Sequence, residues 1–190
     1  MKLAVIQHRS RPSADDDATT LAEWVARAVA RGAELVVSDA VSAEREMAAV
    51  GRCVVLEGDA AIDPAEHHRL AQDPPDVLVL APASESDLQA EAAIEVAIGL
   101  SLSVAGLVVV LDSSGAQPGE PGHGGSAIVL LGEVAAEALT EDDALVASIP
   151  VPVPHPEPRA PLPEVPPLLL QRLAHHRGEK LTFDYPTDTS

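Results

Sequence analysis

The side chains in this chain that could do chemistry are one cysteine, seven histidines and a surplus of carboxylates, 30 Asp and Glu against 12 Lys and Arg. His67-His68 and His175-His176 suggest metal ligation, but neighbours on a helix project about 100° apart and do not converge on one ion. Asp63, four residues before His67, is better used as a cap ahead of Pro64. No cluster has the ligand spacing of a zinc site. The histidines therefore read as solvated helix faces, with no metal and no cofactor expected. Cys53 lies in the apolar run Cys53-Val54-Val55-Leu56, where nothing lowers a thiol pKa, so it reads as buried and inert. A lone cysteine forms no internal disulfide and points to a reducing compartment.

Gly122-His123-Gly124-Gly125-Ser126 has the glycine content of a phosphate cradle. Such a cradle needs a helix N-terminus directly after it, whereas the next residues are the strand-like Ala127-Ile128-Val129-Leu130, so a plain turn is expected. No Gly-x-Ser-x-Gly nucleophile elbow occurs. The acidic runs Asp15-Asp16-Asp17 and Glu141-Asp142-Asp143 precede regular elements, where they complement helix ends or maintain solubility.

The elements that must position these residues alternate between periods of two and of 3.6. Residues 2–6 read as a first strand. Thr20 and Glu23 form a capping box, and Leu21, Trp24, Val25, Ala28 and Val29 share one face of a helix that Gly32 stops. A short strand over 35–38 completes a parallel crossover. Then come a brief helix over 42–49, a strand over 51–57, a helix capped by Asp63, and a fully apolar strand over 76–80. A largely buried helix over 85–104 precedes another buried strand over 107–111. Beyond the polar loop 113–124 the pattern becomes a β-meander over 126–131, 134–139 and 144–149. About half of the prolines fall in 150–167, which predicts a stiff polyproline II arm lying over the domain. A short helix over 167–177, stopped by Gly178, precedes the tail.

With 190 residues, 46% of them hydrophobic, and a net charge of −18, the chain is a folded acidic protein rather than a disordered tail. Its three aromatics, Trp24, Phe183 and Tyr185, offer no platform for stacking bases, and there is no positive field for phosphates or anionic lipids. Neither nucleic-acid nor membrane binding is expected. The first strand is too short for a secretory signal, no apolar run spans a bilayer, and a cytoplasmic location is expected.

In their order, these segments resemble the nitrilase or carbon-nitrogen hydrolase superfamily. Lys2-Leu3-Ala4-Val5-Ile6-Gln7, Ala30-Arg31-Gly32-Ala33-Glu34 and Leu35-Val36-Val37 look like its first crossover. Gly51-Arg52-Cys53-Val54-Val55-Leu56, Asp63-Pro64-Ala65-Glu66 and Asp76-Val77-Leu78-Val79-Leu80 look like its nucleophile strand and the helix and strand beyond. Gly124-Gly125-Ser126-Ala127-Ile128-Val129, Gly132-Glu133-Val134 and Ala144-Leu145-Val146-Ala147 are similar to the closing strands. The resemblance implies an α/β fold, a reduced α-β-β-α sandwich over residues 1–150, followed by an arm, short helix and tail over 151–190.

That family's chemistry uses a glutamate base, a lysine and a cysteine nucleophile, a constellation suited to acyl transfer. Ala40 falls at the glutamate position and Val55 at the cysteine position, while the lysine-bearing segment is reduced to 41–50, which contains Arg45 and no lysine. The resemblance therefore implies a catalytically inactive protein acting as a binding, oligomerising or partner subunit. It is expected to associate as a homodimer or with another protein, with Phe183 and Tyr185 as interface anchors. The alternative is a residual amidase using a displaced Cys53 with Asp39 or Glu57 as base. A further alternative is a sensor for a small amide or carboxylate.

Overall fold

A computed structural model of the chain describes residues 1–7, 14–112, 123–138 and 143–179. Eight strands among them form two sheets. β1 (Lys2–Gln7) is central in the smaller, between β2 (Leu35–Val37), which runs parallel to it, and β8 (Asp143–Ser148), which runs antiparallel. The larger has the order β3 (Cys53–Glu57), β4 (Val77–Ala81), β5 (Leu107–Val110), β6 (Ala127–Leu130) and β7 (Glu133–Glu137), with β3, β4 and β5 mutually parallel.

Strand alternation sorts the side chains into three apolar layers. Leu3 and Val5 of β1 meet Val77, Val79, Leu107, Val109 and Ile128 between the sheets. Ala4 and Ile6, on the opposite face of β1, pack against α1 (Ala14–Ala30) through Ala28, Leu21 and Trp24. Leu78, Leu80, Val108 and Val110 face outward from the larger sheet toward α3 (Pro64–Gln72) and α4 (Asp87–Ser103). The layers are helix, sheet, sheet, helix, a reduced α-β-β-α sandwich. Between β2 and β3, α2 (Ala40–Met47) buries Ala43 and Met47 at the open edge of the inter-sheet core.

Several expectations require correction. α1 begins at Ala14, so Thr20 and Glu23 lie inside it rather than at its cap. The longer helix places the aspartate run in its first turn, where the helix dipole favours acidic residues. The meander does not continue into β8. That strand leaves β7 and pairs with β1 along its whole length, because β1 is apolar on both faces and needs a partner on each side. A short 3-10 helix, Gly58–Ile62, joins β3 to α3. Asp63 caps α3 as anticipated, accepting a hydrogen bond from the amide of Ala65 at 2.9 Å. His67, expected on a solvated face, is buried and bonds through Nε2 to the carbonyl of Ala61.

The proline segment packs back on its own chain. Val153 enters the inter-sheet core, while Val165, Leu169 and Leu173 join the outer one. Its peptide bonds at Val151–Pro152 and Glu157–Pro158 are cis rather than the trans bonds of polyproline II. The amide of Ala160 donates to the carbonyl of Leu102 in α4. α5 (Pro167–Arg177) ends at Gly178 in the left-handed conformation. Part of the arm's fit depends on Gly106, where a Cβ would lie 1.7 Å from the carbonyl oxygen of Pro154. Gly106→Ala is expected to destabilise the fold by about 1–3 kcal/mol through overpacking, measured as a lower urea midpoint.

Candidate functional site

Most of the positions singled out from the sequence converge on one groove. Its cavity, about 330 Å³, is lined by Ala40, Val41 and Glu44 of α2 and by Cys53, Val54, Val55 and Glu57 of β3. Ala40 arrives there because β2 ends at Val37 and the chain turns directly into α2. Cys53 and Val55 are two apart on β3, share its inward face and pack against the inter-sheet core, as their spacing predicted. Glu57 is exposed at the end of that strand. Ala40 and the three valines share the groove's walls with Glu44, Glu57 and Cys53, and no aromatic side chain lines them.

Asp39 has a different task. It is the N-cap of α2, its Oδ1 accepting from the Ser42 amide at 2.7 Å while the Ser42 hydroxyl closes the capping box. Partial burial works against its charge, but the Ser42 amide and the Ser38 and Ser42 hydroxyls hold its carboxyl below the ordinary value. It is thus ionised, occupied and weakly basic. Cys53 goes the other way: burial, reinforced by the Glu44 carboxylate, pushes its thiol up to about 11. Not fully buried as expected, it is half-buried and fronts the groove. Phe183 and Tyr185 lie outside the described residues.

A second polar cluster at the carboxyl ends of β4 and β5 was not anticipated. Arg172 of α5 is buried and donates to the carbonyl of Pro82 at 2.6 Å and to Oε1 of Gln89 at 3.3 Å. Asp112, just past β5, accepts weakly from the amide of Ser84, whose hydroxyl lies beside the carboxyl outside good hydrogen-bond geometry. Ser126 fastens this region to β1: its amide donates to Oε1 of Gln7 at 2.8 Å, and its hydroxyl exchanges hydrogen bonds with the backbone of Asp112. The glycine-rich run thus ends in a structural anchor. Burial pushes Asp112 up to about 6, against the pull of Ser84, Arg172 and His123. A periodicity argument marks Arg172 only as one of two polar residues in Leu168-Leu169-Leu170-Gln171-Arg172-Leu173, with no hint of its partners 83 and 90 residues earlier.

The other histidines are spread over separate places. His68 bonds to the carbonyl of Pro64, His123 to Asp87, and His176 lies between Asp59 and Glu85. Among the described residues no group of three or more His, Cys, Asp or Glu could hold a metal ion, and no helix is long and apolar enough to cross a membrane.

No protein-family model and no curated protein matches the sequence. Solved structures do match the fold. An amidase from Nesterenkonia sp. AN1 superposes with a TM-score of 0.59 at 13% identity, over 79% of this chain and 93% of that one. A variant of that amidase lacking a cysteine, in complex with butyramide, gives 0.58 at 13% identity over 94% and 96% of the two chains. A further cysteine variant, described as a nitrilase-superfamily amidase, gives 0.59 at 13% identity over 94% and 97%. The architecture is therefore a nitrilase-superfamily fold, in agreement with the resemblance drawn from the segments.

Asp112 provides a direct test of the second cluster. Its carboxyl is displaced upward from 3.8 to about 6, so the folded state favours the protonated form and loses stability as pH rises through that interval. Relative to Asp112→Asn, the wild type is expected to lose roughly 3 kcal/mol between about pH 4 and pH 6, at ~1.4 kcal/mol per pKa unit, and to run parallel outside it. Urea unfolding of both proteins across that range checks this. A constant difference would show that the carboxyl is not desolvated.

Proposed function

We propose that this chain is a catalytically inactive carbon-nitrogen hydrolase-like protein that acts by binding a partner. The observation carrying this reading is the chemistry of the groove. Acyl transfer needs a nucleophile, a base that can take its proton, and a cation or donor pair for the developing oxyanion. The resemblance puts Val55 at the nucleophile position and Ala40 at the base position, both residues line this groove, and the nearby thiol of Cys53 is pushed up to about 11. That leaves it about a hundredfold less ionised at neutral pH than a thiol at the ordinary 9.0. Lys2 and Lys180 are the only lysines in the chain. Lys2 lies on β1 with its ammonium on the carbonyl of Arg31, and Lys180 falls outside the described residues. No lysine lines the groove, whose polar side chains are Glu44, Glu57 and Cys53.

A residual amidase is the competing reading, and it has one supporting feature: Cys53, Glu44 and Glu57 share the groove. The two readings differ in what the thiol does. We expect purified protein to hydrolyse acetamide and butyramide no faster than its Cys53→Ala variant. Iodoacetamide at pH 7 is expected to label Cys53 about a hundredfold more slowly than a free model thiol, the rate still climbing past pH 9. Turnover that disappears in Cys53→Ala would establish the amidase and overturn the proposal.

A further inference from the structure

The two edges of the larger sheet are built differently. β7 presents Glu133 and Glu137, is mostly exposed, and meets β6 through a register irregularity, all devices that discourage further pairing. β3 carries one charge, Glu57 at its end, and otherwise lacks these devices. Its first four residues, Cys53-Val54-Val55-Leu56, are apolar, and the strand is regular in its pairing with β4 and free of lysine, proline and bulge. β4 is its only strand neighbour, and its outer edge makes no backbone hydrogen bond to another element among the described residues. Alongside runs the groove, with Val41 of α2 strongly exposed across from Val54 and Val55.

Charge selects the occupant. Glu44 and Glu57 supply the ionisable oxygens lining the groove, and no basic side chain lines it. Arg52, at the foot of β3, is turned away onto the carboxylate and carbonyl of Asp73, and Arg45 on α2 pairs with Glu46. The whole chain carries −18, a field that concentrates cationic partners and repels acidic ones, a second copy of itself included.

We propose that the outer edge of β3 takes an extended segment of a partner protein as an added strand, with its lysine or arginine side chains on the face shared by Val55 and Glu57, reaching Glu44 and Glu57, and its apolar ones on the opposite face beside Val54. Main-chain hydrogen bonds to β3 would supply affinity, and the alternating side chains register and selectivity. This rests on reading the groove as a binding surface, and its test is independent of whether the chain hydrolyses amides.

The probes are capped heptapeptides: one alternating lysine and valine, one alternating glutamate and valine, and two copies of the first N-methylated on alternate residues, one for each edge. The lysine peptide is expected to bind with Kd at or below ~100 μM at low salt, and at least about fivefold more weakly at ten times the salt. The glutamate peptide should show no binding, and one of the N-methylated isomers should lose about tenfold or more. Glu57→Lys, at an exposed position, should weaken the lysine peptide by about tenfold while the variant's melting curve reports that it folds. Amide hydrogen exchange should slow in residues 53–57 on binding. Equal binding of both N-methylated isomers would mean charge attraction without strand addition and would overturn the proposal, as would an absence of binding by the lysine peptide. Protection, in the free protein, of those amides of residues 53–57 that do not donate to β4 would overturn it too. Loss of that protection on dilution would assign the edge to a second copy, and its loss on deleting residues 180–190 would assign it to the chain's own tail.

Discussion

Burial of both faces of the central strands is the constraint on which the rest of the structure depends. β1 lies between α1 and the inter-sheet core, while β4 and β5 lie between that core and the outer helices, so Leu3–Ile6 of β1 and all of β4 and β5 must be apolar. Leu3, Val5, Leu145 and Ala147 of the smaller sheet meet Val77, Val79, Leu107, Val109 and Ile128 of the larger. Small and β-branched side chains interdigitate there without aromatic filler, in keeping with a chain whose described residues include only Trp24 among the aromatics. Trp24 lies on the other side of β1, in α1, with the guanidinium of Arg27 4.4 Å from its ring centroid.

That packing also decides where the chain can close. An inter-sheet core needs its open edge sealed, and α2 does this with Ala43 and Met47, held in place by the Asp39 cap. A helix of eight residues seals only part of the edge. What remains is the groove along β3, half-buried on one wall and exposed on the other. The site and the edge strand are thus one feature, the consequence of a short connection between β2 and β3.

On the far side, the carboxyl-terminal arm covers α4. α4 buries most of its circumference, with Ala92, Ile94, Val96, Ala97 and Leu100 facing one core and Gly99 approached by Pro163, and leaves Glu91 and Glu95 exposed on one face. A helix with so wide an apolar surface needs cover on more than one side, and the arm with α5 supplies part of it. Arg172 fastens this cover at the carboxyl ends of β4 and β5, in the same neighbourhood as the desolvated Asp112. Residues 151–179 are consequently part of the core they come after in sequence, even though composition marks the boundary at 150 clearly.

Local pattern was enough to read most of this fold, for a physical reason. The apolar runs at Leu3–Ile6 and Val77–Ala81, the Asp63-Pro64 start of α3 and the Gly178 stop of α5 are each determined by near neighbours in the chain. The same holds for Cys53 and Val55 sharing a face, since strand period alone requires it. Other features were set only by contacts distant in sequence. β8 chose β1 over β7, His67 turned inward, Asp39 went to a helix cap, and Arg172 reached back to Pro82 and Gln89. No periodicity records such choices, because each depends on which surface was left without a partner once the layers had stacked. The aliphatic character of the groove's β3 wall was legible in the sequence; its opening beside an unpaired edge was decided by the tertiary structure, because only there does a short α2 leave part of the sandwich uncovered.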